Sequence, residues 1–149
     1  MRVTYKMKEI EINDNIKVED LLKEEICRSK YQVVGCIFNN EYQNLSYEIT
    51  EDGNLELIDI SSKEGMKIYV RTLVYIMGKA FEKIYPDKKM TVEYQLGDAM
   101  FCTCDNMEIT QEFMDNLSEE IQNIIDKNLN IRKVVMNRQE AEDFYNKHD

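Results

Sequence analysis

Three side chains on one predicted helix have the chemistry to bind an anion. Lys67, Arg71 and Tyr75 follow one another at intervals of four residues, which places them on one helix face. A guanidinium donates paired hydrogen bonds to carboxylate or phosphate, and a tyrosine ring stacks on a base or bonds through its hydroxyl. This spacing predicts a candidate ligand-binding site. The alternative is a solvated cationic stripe beside a packed tyrosine, and the sequence leaves both interpretations open.

Residues for metal binding or nucleophilic catalysis are sparse. His148 is the single histidine, so the chain offers neither a histidine metal cluster nor a serine or cysteine triad. Cys102 and Cys104 are two apart and would share one face of a strand, whereas Cys27 and Cys36 lack paired spacing. We therefore predict no catalytic residue and no metal ligand, with the cysteines acting as small hydrophobes.

The composition argues against several classes of function. The 149 residues carry a formal net charge of −10 and are 43% hydrophobic. That charge repels phosphate backbones, so nucleic acid is not an expected partner. No apolar run approaches the length of a membrane span, and no signal-peptide core is present. Because unpaired cysteines suit a reducing compartment, we expect a soluble cytoplasmic protein.

The elements that position the candidate residues divide into two segments around a long helix. Apolar residues recur near the helical period from residue 64 to 85, and the only proline, Pro86, follows directly. The stripe is wide, so this helix is expected to be buried on more than one side. Upstream, alternating or apolar runs predict strands at 3–7, 10–12, 32–38, 45–49 and 55–60, with a short helix at 18–26. That order is typical of a β-grasp domain over residues 1–62.

The second segment, residues 63–149, predicts a further α+β module. Two runs, 90–96 and 99–104, flank Gly97-Asp98 and predict a hairpin. Thr110 can cap the following helix, and a strand is expected over 129–136. Asn137 with Glu140 fits a capping box that opens a last short helix. The fold class is therefore α+β, with a β-grasp domain followed by a second α+β unit.

Both segments resemble parts of the threonyl-tRNA synthetase family. Residues 1–62 look like a TGS domain, the β-grasp module found in these synthetases and in stringent-response enzymes. Residues 63–149 resemble the start of the synthetase editing domain, which would then be truncated here. The resemblance rests on Glu64-Gly65-Met66, Gly78-Lys79-Ala80-Phe81, Tyr85-Pro86, Lys89-Met90, Ile109-Thr110-Gln111-Glu112 and Arg138-Gln139-Glu140-Ala141 through Phe144.

The departures from the family bear on function. The resemblance implies two histidines four apart on the long helix, and a gapless reading places Arg71 and Tyr75 at those positions. Arginine stays protonated and cannot replace a neutral imidazole as a ligand. The family's later Cys/His pair would fall beyond residue 149. The editing centre is therefore absent from this sequence as it stands.

A second resemblance favours a different parent protein. Ile68-Tyr69-Val70-Arg71-Thr72-Leu73 and Thr91-Val92-Glu93-Tyr94 are similar to the accessory region that precedes the P-loop domain of bacterial nucleoside (uridine-type) kinases. Gly78-Lys79-Ala80 lacks the rest of a phosphate loop. The resemblance implies a non-catalytic regulatory region, with ATP and magnesium needed only by a downstream kinase domain, which would be its partner.

Three functions remain open on this reasoning. We expect a ligand-binding or regulatory region of a nucleoside kinase-like protein, with a nucleotide, nucleoside or other small anion as ligand. In that case Tyr94, Phe101 and Thr103 of the hairpin would line the wall opposite Lys67, Arg71 and Tyr75. The alternatives are an N-terminal fragment of a threonyl-tRNA synthetase-like protein with a degenerate editing site, or a stand-alone interaction module that uses exposed sheet edges.

Overall fold

The computed structural model describes residues 1–97, 99–129, 131 and 134–146. The chain forms two compact units, unit 1 (Met1–Lys79) and unit 2 (Ala80–Asp149), and their boundary lies within the long helix. Helices and strands are both abundant, which confirms the predicted α+β class. The predicted domain boundary between residues 62 and 63 stays a prediction.

Unit 1 is organised around a five-stranded sheet. Its elements are β1 (Arg2–Tyr5), β2 (Lys8–Glu11), β3 (Ile16–Lys17), α1 (Val18–Leu21), α2 (Lys23–Arg28), β4 (Val33–Phe38), β5 (Glu41–Gln43), β6 (Glu48–Ile49), β7 (Gly53–Asp59) and the first part of α3 (Lys63–Ile84). The strand order is β2-β1-β7-β4-β5, with β1 and β7 parallel and the other neighbours antiparallel. A parallel central pair with short helices after the first hairpin is the β-grasp arrangement that the sequence predicts.

The core of unit 1 joins this sheet to α1 and α2. Val3 and Tyr5 are two apart on β1 and point to the same face, where Val18 and Leu22 are also buried. The predicted helix over 18–26 is divided at Leu22, whose φ of −108° is not helical. Each fully buried aliphatic side chain contributes about 1.5–3 kcal/mol. The remaining buried members of this core are Ile12, Cys36, Phe38, Ile49 and Leu55.

The turn between β1 and β2 differs from the prediction. Strand β1 ends at Tyr5, and Lys6 and Met7 both adopt left-handed backbone conformations, with φ of 46° and 62°. Two such residues make a tight hairpin turn that normally favours asparagine and glycine. Met7 was expected on a half-buried strand and is instead 100% exposed. Ile10 and Ile12 have the opposite parity from Val3 and Tyr5, which predicts a turn or bulge near Lys8 and Glu9, and the observed turn lies two residues earlier.

Replacing Met7 with glycine is expected to stabilise the protein by about 0.5–1 kcal/mol. Glycine adopts a positive φ without a Cβ clash, and the fully exposed methionine side chain contributes no burial. Urea denaturation measures the change. Met7→Ala is the matched control because it shortens the side chain and keeps the Cβ; a gain equal to that of glycine would show that backbone strain is not the cause.

Helix α3 begins at a side-chain cap supplied by Ser62. The Ser62 hydroxyl accepts a hydrogen bond from the backbone N–H of Gly65 at 3.0 Å and donates to the carbonyl of Asp59 at 2.9 Å. The backbone of Gly65 is packed so closely against Asp59 that an added Cβ would overlap the Asp59 carbonyl. The helix therefore starts within one residue of the predicted position because the preceding turn is folded onto its first turn.

The unit 1 part of α3 is less buried than predicted. Ile68 approaches Gly35 of β4, since a Cβ built at Gly35 would lie 3.6 Å from the Ile68 Cδ1 atom. Met66 and Leu73, however, are exposed. The wide apolar stripe indicated burial on more than one side, but the buried apolar residues of this helix are Ala80 and Phe81, beyond the boundary of unit 1.

Unit 2 contains the end of α3, a hairpin and two more helices. These are β8 (Met90–Leu96), β9 (Ala99–Cys104), α4 (Gln111–Asp126) and α5 (Arg138–Tyr145). Phe113 of α4 packs between two rings, with centroid distances of 6.3 Å to Phe81 and 5.5 Å to Tyr85. Lys83 and Glu120 form an ion pair at 2.6 Å beside this cluster. The aromatic cluster thus attaches α4 to the end of α3.

Both predicted helix caps of unit 2 are confirmed, and one predicted strand is wrong. The Thr110 side chain accepts a hydrogen bond from the N–H of Phe113 at 3.1 Å, and Asn137 with Glu140 forms the reciprocal capping box. The described residues of the expected strand, 129, 131 and 134–136, lie outside any strand. Alternating apolar residues do not form a strand unless another strand offers its edge. In the part of the chain that is described, no helix is long and apolar enough to cross a membrane.

Candidate functional site

The predicted cationic stripe lies on the solvent-exposed face of α3. Lys67, Arg71 and Tyr75 occupy successive turns of the helix, and all three side chains are exposed, with Tyr75 at 54%. Between Gly65 and Gly78 the only charged residues are these two cations. Within the described part of the chain, neither cation forms an ion pair with a carboxylate. Two unpaired positive charges therefore stand together on a protein of net charge −10.

The stripe has the geometry of a shallow anion-binding surface. Neighbouring side chains four residues apart on a helix lie about 5–6 Å from one another at Cβ, so one anion can contact both Lys67 and Arg71. The Arg71 guanidinium can donate two parallel hydrogen bonds, and the Tyr75 ring lies one turn beyond it. Because water reaches all three side chains, each contact contributes less than it would in a closed pocket.

The hairpin residues assigned to the site share one face of the β8–β9 pair. Tyr94 is opposite Phe101, and their rings stack with centroids 5.0 Å apart. Thr103 lies two residues from Phe101, on the same face, and its hydroxyl donates to the Glu93 carboxylate at 2.9 Å. These three residues belong to unit 2 and the cationic stripe to unit 1, so their association in one pocket stays a prediction.

Unit 1 contains two neighbouring grooves that sequence reasoning missed. Their volumes are about 630 and 570 Å³, and both are lined by Tyr5, Lys6 and Glu25. The Lys6 ammonium pairs with the Glu25 carboxylate at 3.3 Å, and the larger groove also includes Arg28 and Asp59. These residues come from β1, the turn after β1, α2 and β7, without any shared motif or spacing. Charges of both signs line the larger groove, so it does not favour one class of ligand.

Burial disfavours the reactive thiolate form at two of the cysteines, Cys36 and Cys104. Burial raises the pKa of the Cys36 thiol to about 11, and its sulfur lies 3.6 Å from the Asn44 carbonyl oxygen. Burial, reinforced by Cys102 and Asp105, raises the pKa of Cys104. A raised pKa leaves less of the nucleophilic thiolate at neutral pH.

Metal ligands are not gathered in the described structure. Among residues 1–97, 99–129, 131 and 134–146, no three His, Cys, Asp or Glu side chains form a group that could hold a metal ion. His148 lies outside the described residues. The absence of a metal site therefore stays a prediction for the whole chain.

Comparison with known proteins gives similarity to threonine–tRNA ligases over most of the chain. The chain is 27% identical over 135 residues to that of Clostridium tetani, covering 90% of this chain and 21% of that protein. It is 26% identical over 140 residues to the threonine–tRNA ligase of Caldanaerobacter subterraneus, covering 93% of this chain and 22% of that protein. The threonine–tRNA ligase of Ehrlichia chaffeensis is 27% identical to this chain over 131 residues, covering 87% of this chain and 21% of that protein. The chain thus spans about a fifth of the length of these relatives.

The similarity covers both units of the structure. An alignment of 140 residues in a chain of 149 includes parts of the β-grasp unit and of unit 2. The chain matches no protein-family model. The relatives named above support a likeness to the N-terminal region of threonyl-tRNA synthetases, and they do not include a nucleoside kinase.

Proposed function

We propose, from the similarity to threonine–tRNA ligases, that this chain is a non-catalytic, ligand-responsive region of the synthetase N-terminal type. By the family resemblance, the long helix of an editing domain carries two histidines where this chain has Arg71 and Tyr75. A guanidinium is always protonated and cannot bind a metal or act as a general base near neutral pH. In this proposal the side chains of the helix serve a chemistry different from that of an editing domain.

The exposed pair of unpaired cations on α3 is the observation that carries this proposal. An uncompensated positive charge in an acidic protein favours an anion, and Arg71 suits a carboxylate or a phosphate. Tyr75 adds a ring for stacking on a nucleobase. The proposed ligand is a nucleotide, nucleoside or other small anion, and the chain itself needs no cofactor to bind it. Tyr94, Phe101 and Thr103 are proposed as the second wall of the same site.

Arg71→Ala is expected to weaken ligand binding about twofold to fivefold. An ionic contact exposed to water contributes about 0.5–1 kcal/mol of binding free energy, because water screens the charges. Calorimetric titration of the wild type with nucleosides, nucleotides and threonine first identifies the ligand, and the same titration of the variant measures the loss. Arg71→Lys is expected to recover part of the affinity, since it keeps the charge and loses the paired donors.

Arg28→Ala is the matched control for this titration. Arg28 is also an exposed arginine of unit 1, but it pairs with Glu24 at 3.1 Å and lines the larger groove instead of the α3 surface. Its removal is expected to leave the affinity unchanged. If Arg28→Ala abolishes binding and Arg71→Ala does not, the ligand binds in the larger groove and not on the α3 surface. If none of the compounds binds, the proposal is wrong and the stripe is a solvated surface without a ligand.

The parent protein is a separate question from the ligand. The synthetase interpretation has the support of the relatives named above, whereas the nucleoside-kinase interpretation rests on the short motifs at residues 68–73 and 91–94. The residues that the gene encodes after position 149 discriminate between them. Class II synthetase motifs would support the first, and a Gly-x-x-x-x-Gly-Lys-Ser/Thr loop would support the second. A stop codon would favour a stand-alone interaction module.

A further inference from the structure

Strand β9 presents an edge that is not protected against pairing. Its six residues, Ala99–Cys104, are uncharged and include no proline. In the described structure β9 pairs with β8 alone, so the backbone groups along its other edge have no strand partner. Natural edge strands are usually short, charged, bulged or covered, because an open edge is a template for another strand.

The other sheet edges of this chain carry such protection. The outer strands of the five-stranded sheet are β2 and β5, with the sequences Lys-Glu-Ile-Glu and Glu-Tyr-Gln. Strand β8 has a bulge between Val92 and Tyr94, where its extra residue is Glu93. Charges and a bulge disfavour added strands at these three edges, and β3 and β6, which pair only with each other, are two residues long and each carries a charge. Only β9, among the described edge strands, combines a regular backbone with an uncharged sequence.

Both faces of the hairpin also leave apolar side chains in water. Tyr94, Leu96 and Phe101 are exposed on one face, and Val92 and Met100 are exposed on the other. A two-stranded hairpin is marginally stable in water, and three or more strands are needed for independent stability. Further strands at the β9 edge would extend both apolar faces at once.

We propose that β9 pairs with β9 of a second copy of this chain, forming a four-stranded antiparallel sheet across a two-fold axis. A partner for this edge must be an extended strand, and one without charges or a bulge pairs most readily; β9 itself is the described edge strand with those properties. Antiparallel pairing about Cys102 places Cys102 opposite its counterpart, Phe101 opposite Thr103, and Met100 opposite Cys104. Each pair then lies on one face, as strand alternation requires. No like charges meet along this edge.

The oligomeric state over a concentration series tests the proposal. Light scattering from about 1 µM to about 1 mM covers the range of weak association. The wild-type mass is expected to rise from 17.7 kDa toward twice that value. Phe101→Lys, which adds charge to β9, is expected to weaken association at least tenfold. Leu96→Lys is the matched control on β8, where an apolar side chain that is 71% exposed is replaced without charging the β9 edge.

Thiol crosslinking tests the same contact without a charged variant, in case Phe101→Lys disturbs the hairpin. Directly opposed residues of antiparallel strands lie about 4.5–5.5 Å apart at Cα. A chain that retains Cys102 while Cys27 and Cys104 are serine should therefore form a crosslinked dimer with a short bismaleimide. The chain that retains Cys27 while Cys102 and Cys104 are serine should not. A wild type that stays monomeric throughout, equal weakening by both lysine variants, or equal crosslinking of both thiols overturns the proposal.

Discussion

Phe113→Ala is expected to lower the free energy of unfolding of unit 2 by about 3–5 kcal/mol. The Phe113 side chain is 5% exposed and stands between Phe81 and Tyr85, the rings that join α4 to the end of α3. Its removal opens a cavity and also ends two aromatic contacts, each of which contributes about 0.5–1.5 kcal/mol beyond area burial. Since small units have modest total stability, this single change removes a large share of it.

Met114→Ala provides the control on the same helix. Met114 is the next residue of α4 and its side chain is exposed, so truncation removes a large apolar group without opening a cavity. Alanine and methionine also have similar helix propensities, and we expect a change within about 0.5 kcal/mol. Urea denaturation followed by tyrosine fluorescence measures both. Similar losses in the two variants would show that α4 is held by general hydrophobicity and not by the ring cluster.

The elements that were predicted correctly are specified by residues that lie close together in the sequence. Thr110 and Asn137 cap α4 and α5 because each side chain bonds a backbone N–H only three residues away. The hairpin at residues 90–104 follows two apolar runs joined at Gly97, which has a φ of 61°. Such signals require no knowledge of the rest of the chain. They therefore appear in the sequence as fixed spacings.

The errors concern features that depend on distant partners. The turn at Lys6 and Met7 adopts positive φ values that neither residue type favours, and the pairing of β1 with β2 and β7 imposes it. The strand expected over 129–136 is not observed at its described residues, and the sequence alone does not reveal whether another strand offers its edge. Burial along α3 was overestimated for a similar reason, since a periodic pattern does not say how much of the stripe another element covers.

The candidate site likewise has a part that follows from local spacing and a part that depends on elements distant in the sequence. Helical spacing alone places Lys67, Arg71 and Tyr75 on one face, and in the structure all three side chains are exposed. Whether the hairpin residues face them depends on how two units are arranged, which no spacing encodes. The grooves beside Lys6 and Glu25 were missed because their walls come from several elements that are far apart in the sequence.

Two glycines on α3 are expected to respond in opposite directions to the same substitution. A Cβ at Gly65 would overlap the backbone carbonyl of Asp59, which is held in place by the Ser62 hydroxyl. Apart from the adjacent residues and the backbone of α3 itself, a Cβ at Gly78 would have no atom within 4 Å. Backbone cannot move aside as a flexible side chain can, so Gly65→Ala must shift the start of the helix relative to β7. Gly78→Ala only removes the conformational freedom of an unfolded glycine.

Gly65→Ala is therefore expected to cost about 1–3 kcal/mol of unfolding free energy, whereas Gly78→Ala should gain about 0.5–1 kcal/mol. Urea denaturation followed by helical circular dichroism gives both values from the same helix, so differences in reporter signal cancel. A double variant near the sum of the two effects would confirm that they are independent. A gain at both positions would mean that helix propensity outweighs the contact with Asp59, and that the Ser62 cap does not fix the turn against α3.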